Sequence, residues 1–228
     1  MDLKNLETTR LICEIRYALA PIHHARGAEI IQDLIHDFGS YSFTDPGSFQ
    51  LRDDSKAQLF HVSTRNAIFD WERCTDVLQS FRQRAEALFS KVCHKYQIES
   101  LKRIGLRQYF VLPVAEPFEG LVNRYATALL RPQQGLWEKV GPIADVGIIL
   151  DFSSDGGRGQ LHTGPMTQEQ LCRQFLVFGR NPAISADVVC FANVDVGALD
   201  QRADKIGEFI RRAAGVGRGK VEALFSVL

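Results

Sequence analysis

The sequence predicts an α+β protein of two lobes, the first with the ferredoxin-like order β-α-β-β-α-β and the second a smaller or similar α+β sandwich. Two observations lead to this prediction. Segments in which apolar and polar residues alternate are interleaved with segments whose apolar residues recur at helical spacing. Pro113, Pro117 and Gly120 then interrupt the pattern, which places the first lobe at 1–114 and the second at 115–228.

The first lobe is predicted element by element. Apolar residues alternate over 11–19, which indicates a half-buried strand. Helical spacing of apolar residues indicates a helix over about 24–38, and Gly39 stands where a C-terminal cap belongs. The remaining predicted elements are strands and turns over 40–71, a helix over about 75–97 and a strand over 101–113.

The second lobe shows weaker signals. Thr167 and Gln170 have capping-box spacing and predict a short helix to about residue 176. The other predicted elements are strands near 121–131, over 144–152 and over 186–194, a hairpin or mobile loop over 153–159, and a helix over about 199–213.

The stretch GVGRGKVEALF at 215–225 raises the question of a phosphate-binding loop. A Walker loop needs a Ser or Thr after its lysine, but Val221 follows Lys220, and a predicted helix precedes the stretch. We therefore expect no nucleotide hydrolysis. The glycines predict a hinge instead, with Gly215 capping the preceding helix and a last helical turn docking on the core.

The composition is that of an ordinary soluble protein. The 228 residues are 45% apolar and 24% charged, and 27 basic residues balance 27 acidic ones, so no global charge favours nucleic acid. The five cysteines are scattered without a C-x-x-C pair, the start is not signal-like, and no apolar stretch could span a bilayer. We expect a cytoplasmic protein without a membrane segment.

The most informative predicted surface lies on the first and last strands of the first lobe. In a ferredoxin-like order these strands are antiparallel neighbours, which places Glu14 and Arg16 beside Arg103, Arg107 and Tyr109 on the face away from the helices. This face is either an Arg/aromatic platform for RNA or an acidic partner, or a surface that the second lobe covers while carboxylates neutralise the arginines.

Two further groups of residues are candidate sites. Arg218 and Lys220 make the C-terminal hinge locally basic and could hold an anion there. The candidate catalytic residues are the histidines His23, His24 and His162, the last beside Asp155 and Arg158. No metal-binding motif accompanies them, and we expect no metal and no cofactor.

Three stretches carry a resemblance to a known family: ICEIRYALAP near the start, AIFDWERCTDVLQSF in the middle and LKRIGLRQYFVLP at 101–113. They resemble a sporadically distributed family of uncharacterised prokaryotic proteins with an R-I-G-L-R strand after a long helix. The resemblance is best over 10–113, and Gln108, Tyr109 and Phe110 depart from the Tyr-Ile-Asn of that family. It implies the element order and a prokaryotic origin, and no activity.

The predicted function is non-enzymatic: binding or assembly with another protein or a second copy of the chain, through the Arg/Tyr face or exposed strand edges. The alternative is an RNA-binding protein or a metal-independent endoribonuclease. Tandem ferredoxin-like lobes with a histidine after the first strand resemble the CRISPR repeat-processing endoribonucleases, which implies His23 or His24 as general base. The longer glycine-rich signature of those enzymes is absent from this sequence.

Overall fold

The strands and helices follow one another as two similar series, each opening with a long strand and a helix. The computed structural model describes residues 2–20, 23–45, 47–74, 77–130, 141, 143–154, 157–175, 182–196 and 202–228. The strands are β1 (Glu7–Tyr17), β2 (Ser40–Asp45), β3 (Ser48–Asp53), β4 (Gln58–Val62), β5 (Asn66–Glu72), β6 (Leu101–Pro113), β7 (Ile148–Ser154), β8 (Gly157–Met166) and β9 (Ala183–Val196). The helices are α1 (His23–Phe38), α2 (Leu78–Lys95), α3 (Phe118–Leu130), α4 (Gln168–Phe175) and α5 (Arg202–Phe225), with a short 3-10 turn at Leu3–Asn5.

The described strands form one antiparallel sheet in the order β2-β3-β4-β5-β1-β6-β9-β8-β7. The two long strands β1 and β6 pair near the middle, with Cys13 opposite Leu106 and Ile15 opposite Ile104. Each of them also pairs with the last strand of its own series, β5 or β9. The antiparallel pairing of β1 with β6 is therefore as predicted.

Most of the helices lie on one face of the sheet. Helix α2 contacts both α1 and α5. Helix α1 packs on β3, α2 on β5, α5 on β6 and β9, and α3 on β8. Between these helices and the sheet lies the main core, whose large fully buried side chains include Phe60, Phe69, Phe81, Phe89, Phe110 and Phe225. Burying such rings removes much apolar surface from water, the dominant favourable contribution to folding.

The α+β class is confirmed, but the ferredoxin-like arrangement of the first lobe is not. Between α1 and α2 the chain forms four strands rather than two, and β6 continues into a larger sheet by pairing with β9. A ferredoxin-like lobe has a sheet of its own four strands, whereas here β6 and β9 join strands from both halves of the chain in one sheet. The boundary at residue 114, which falls just after β6, stays a prediction.

The segment predicted as a strand near 121–131 is helix α3. Its buried residues are Leu121, Val122, Tyr125 and Ala126, which recur at helical rather than alternating spacing. The helical period therefore decides this segment, although Val and Tyr favour strands.

The predicted hinge at 215–225 is also wrong, because α5 continues through it as one helix. A Cβ on Gly217 would overlap the side-chain Oε1 of Gln108, so glycine lets α5 lie close to β6 here. Gly215 and Gly219 have open space where a Cβ would be. As an isolated segment these glycine-rich residues would favour a break in the helix, but packing on the sheet keeps them helical.

Two helix ends are as predicted. Gly39 has φ of +83° and its N–H donates to Ile35 O at 2.7 Å, so it caps α1 in the left-handed conformation. At α4, Thr167 N donates to Gln170 Oε1 at 2.7 Å and Gln170 N donates to Thr167 Oγ1 at 3.3 Å, which is a capping box.

Among the helices described, none combines the length and the apolar character needed to cross a membrane.

Candidate functional site

We call the face of the sheet opposite α1, α2, α3 and α5 the open face. Described elements cover this face at one end only. There α4 places Leu171 and Phe175 on Tyr109 and Val111 of β6 and Ala183 of β9. At the other end of β6 and β9, no described element covers the strands. Within the described chain, this end of the open face is therefore an accessible sheet surface.

The residues predicted to share a face do so. Arg16 pairs in register with Arg103, and Glu14 pairs with Gly105, so these side chains stand together on the open face with Arg107. Of the second half of the chain, the described helix α4 covers this face only at Tyr109 and Val111, while β9, β8 and β7 extend the sheet.

Carboxylates neutralise two of these arginines, as one interpretation of the sequence expected. Arg16 Nε donates to Glu14 Oε1 at 2.9 Å, and Asn66 Nδ2 donates to the same oxygen at 3.0 Å. Arg107 donates to both oxygens of Asp187, at 2.8 and 2.5 Å, and this pairing raises the pKa of Arg107. Fork-to-fork pairing of this kind fixes the guanidinium orientation.

Tyr109 is a packing residue at the covered end of the open face. It is 7% exposed, its ring lies 5.4 Å from the ring of Phe175, and Arg10 and Arg107 approach the ring at 5.8 and 5.0 Å. Burial raises the pKa of its hydroxyl above the ordinary value. It therefore stays neutral and helps to hold Arg107 in place.

Arg103 differs from its neighbours because its contact is aromatic. Its guanidinium carbon lies 4.4 Å from the centroid of the Phe191 ring, and it forms no ion pair with a described residue. Its Nε is buried and has no hydrogen-bond partner within the described ranges. A buried N–H without an acceptor costs about 1–3 kcal/mol. Arg103 is thus held in position with hydrogen-bonding capacity left over.

Arg103 and Phe191 border a groove of about 660 Å³ over β9, β8 and β7, which we call the Arg103 groove. Arg158 and Gln160 of β8 and Asp151 of β7 also line it. Gln160 Nε2 donates to Asp151 Oδ1 at 2.9 Å, while Arg158 forms no ion pair with a described residue. The groove therefore offers two cations that form no ion pair within the described chain, beside one carboxylate.

Sequence reasoning missed most of this groove. The alternation in ADVVCFANV marks β9 as a strand, but the pairing that sets Phe191 opposite Gly105 joins distant segments. Gly105 itself is buried beside Phe191, and a Cβ added to it would lie 3.7 Å from Phe191 Cβ. The groove therefore lies over β9 rather than over this glycine.

The histidines do not form one site in the described part of the chain. His23 and His24 are the first residues of α1, and their side chains lie outside the described residues, as does Asp155. His162 is exposed on β8, opposite Asp187, with its Nε2 2.5 Å from Gln160 Oε1. No cluster of metal-ligating side chains occurs in the residues described.

Arg218 and Lys220 lie on α5, away from the open face. Arg218 Nε donates to Glu222 Oε1 at 2.7 Å, and Lys220 Nζ lies 5.7 Å from the centroid of the Phe152 ring. The two predicted sets of binding residues, those on the sheet and those near the C-terminus, are therefore separate.

Comparisons with known proteins leave the function to be argued from this geometry. No protein-family model matches the sequence, and no curated protein matches it.

Proposed function

We propose that the chain acts by binding, and that it holds a segment of a partner protein in the Arg103 groove. The observation that carries this proposal is the Arg103–Phe191 pair, a stacked guanidinium without a carboxylate partner in the described chain. Arginine on an aromatic support is frequent among the residues that dominate protein interfaces. A carboxylate or carbonyl from the partner would pair with the guanidinium of Arg103 at the border of the groove.

The surrounding charges favour a peptide over a nucleic acid. A phosphate backbone that followed the groove past Arg103 and Arg158 would also meet the carboxylate of Asp151. Like charges brought together cost affinity. A peptide with a carboxylate for the arginines and a donor for Asp151 matches both signs, in keeping with the zero net charge of the chain.

Three expectations from the sequence remain part of this proposal. They are membership of the sporadically distributed prokaryotic family with the R-I-G-L-R strand, a ferredoxin-like first lobe, and a cytoplasmic location. None of them names a partner, so the proposal depends on the groove itself.

The test uses short random peptides displayed on phage and selected on the full chain. We expect the selected peptides to be enriched in Asp and Glu at one position, and to bind with measurable affinity in fluorescence anisotropy. Arg103→Glu should weaken the best peptide by about 30-fold, the loss typical of a central interface arginine. The control is Arg65→Glu in the exposed turn between β4 and β5, which should bind as the wild type does.

Three results would overturn the proposal. The first is the absence of any selected peptide. The second is an equal loss in the Arg103 and Arg65 variants when both keep the wild-type circular dichroism spectrum. The third is salt-dependent binding of a short single-stranded RNA that Arg103→Glu abolishes while no peptide binds, which would assign the groove to RNA.

A further inference from the structure

A second cavity lies on the other side of the sheet, between the beginning of α2 and the middle of α5. It has a volume of about 210 Å³ and a floor made by Leu11 of β1 and Phe110 of β6. Taking about 30 Å³ for each water in the liquid, it has room for about seven waters, which suits a small molecule. It shares no lining residue with the Arg103 groove.

A buried amide oxygen at the base of this cavity, Oε1 of Gln108, has no hydrogen-bond partner in the described chain. Gln108 is 4% exposed, it lines the cavity, and its Oε1 accepts no hydrogen bond within the described ranges. A buried amide without partners costs about 1–3 kcal/mol. Since the amide oxygen and nitrogen are interchangeable by a flip, Gln108 can offer a donor or an acceptor to a ligand.

The mouth of the cavity is positively charged. Arg211 and Arg218 of α5 line it two helical turns apart. Arg218 is paired with Glu222, whereas Arg211 forms no ion pair with a described residue, so Arg211 carries the free positive charge. Among the described lining residues there is no carboxylate.

The beginning of α2 adds to this positive potential. Val77, at the N-cap, makes no side-chain capping bond, and the first helical hydrogen bond runs from Phe81 N to Val77 O at 2.7 Å. The preceding amide groups of the first turn therefore have no acceptor within the helix. Val77 and Leu78 both line the cavity, so the positive end of the helix dipole lies beside it.

We propose that this cavity binds a small organic carboxylate. The carboxylate lies between Arg211 and the first turn of α2, the apolar body packs on Leu11 and Phe110, and the amide of Gln108 donates to the ligand. A purely apolar ligand would leave Gln108 and Arg211 unsatisfied, and a bare inorganic anion would leave the apolar floor unfilled.

The test uses 4-fluorobenzoate as the probe, followed by fluorine NMR line broadening on the full chain, with hexanoate as competitor. We expect saturable binding that hexanoate reverses and that benzyl alcohol does not. Arg211→Gln should weaken binding about tenfold, as expected for loss of a charge-assisted hydrogen bond. The matched control is Arg212→Gln, the exposed next residue on α5, which does not line the cavity and should change affinity by less than about twofold.

A second variant separates the ligand site from the fold. Gln108→Leu replaces an unpartnered buried amide by an apolar side chain of similar size, so the melting temperature should not fall while probe binding weakens. The proposal is wrong if neither carboxylate binds, if benzyl alcohol competes as well as hexanoate, if inorganic phosphate displaces the probe as effectively, or if Arg212→Gln weakens binding as much as Arg211→Gln. None of these outcomes depends on peptide binding in the Arg103 groove.

Discussion

Replacing Gly215 by alanine should stabilise the protein. In α5 this glycine has helical backbone angles, and an added Cβ would meet no atom within 4 Å. Alanine is about 1 kcal/mol more favourable than glycine inside a helix, and no steric cost offsets the gain here. For a chain of this length, about 1 kcal/mol corresponds to a rise of about 2–4 °C in melting temperature.

Three companion variants make the result diagnostic. Gly219→Ala has the same open surroundings and should give a similar gain. The free energy of unfolding of Gly217→Ala should be about 1–3 kcal/mol lower than that of Gly215→Ala, because the added Cβ overlaps the buried amide of Gln108. Gly39→Ala should destabilise by about 1–2 kcal/mol, since Gly39 has φ of +83° at the end of α1.

The free energies come from urea unfolding followed by far-UV circular dichroism and by tryptophan fluorescence, with coincident transitions required. A hinge at 215–225 would place Gly215 in a left-handed cap, and its replacement would then cost stability as at Gly39. Destabilisation by Gly215→Ala comparable to that of Gly39→Ala would refute a continuous α5.

Three further predictions concern stability. Burial lowers the pKa of His61, so its contribution to stability is fully present above the unfolded-state pKa of about 6.5 and is lost as the pH falls. His61→Gln should therefore reduce the drop in melting temperature on acidification, and a drop as large as that of the wild type would contradict this. Thr167→Ala removes the hydroxyl that caps α4 and should lower the free energy of unfolding by about 1 kcal/mol in urea titrations, whereas an unchanged value would argue against the capping box. Gly164→Ala places a Cβ 2.7 Å from the carbonyl oxygen of Val146, and calorimetry should show a loss of about 1–3 kcal/mol, with a neutral result contradicting this close approach.

The elements that the sequence predicted well are those specified by neighbouring residues. The apolar stripe of α2 and the glycine that ends α1 each act within a few positions of the chain. The capping box at Thr167 is equally local. Such signals can be interpreted without knowledge of the rest of the fold.

The extent of the sheet could not be predicted in the same way. Nothing in β6 alone specifies that its second edge pairs with β9, because this pairing is decided by which apolar faces the whole chain can bury together. The same limit explains α5, where contact between Gly217 and Gln108 outweighs the preference of glycine for a break.

The candidate site follows the same division. Strand alternation, together with the expected antiparallel pairing of the first and last strands of the first lobe, placed Glu14, Arg16, Arg103 and Arg107 on one face, and the register agrees. The aromatic support of Arg103 could not be predicted, because Phe191 reaches it only through the pairing of β6 with β9.

The pairing of β6 with β9 also has a consequence for synthesis of the chain. At about 5–20 residues per second, the ribosome completes β9 several seconds after β6. During that interval β6, a strand of 13 residues, can pair with β1 but exposes its other edge. Unpaired strand edges template contacts between chains, so this edge of β6 is open to such contacts until Ala183–Val196 pairs with it.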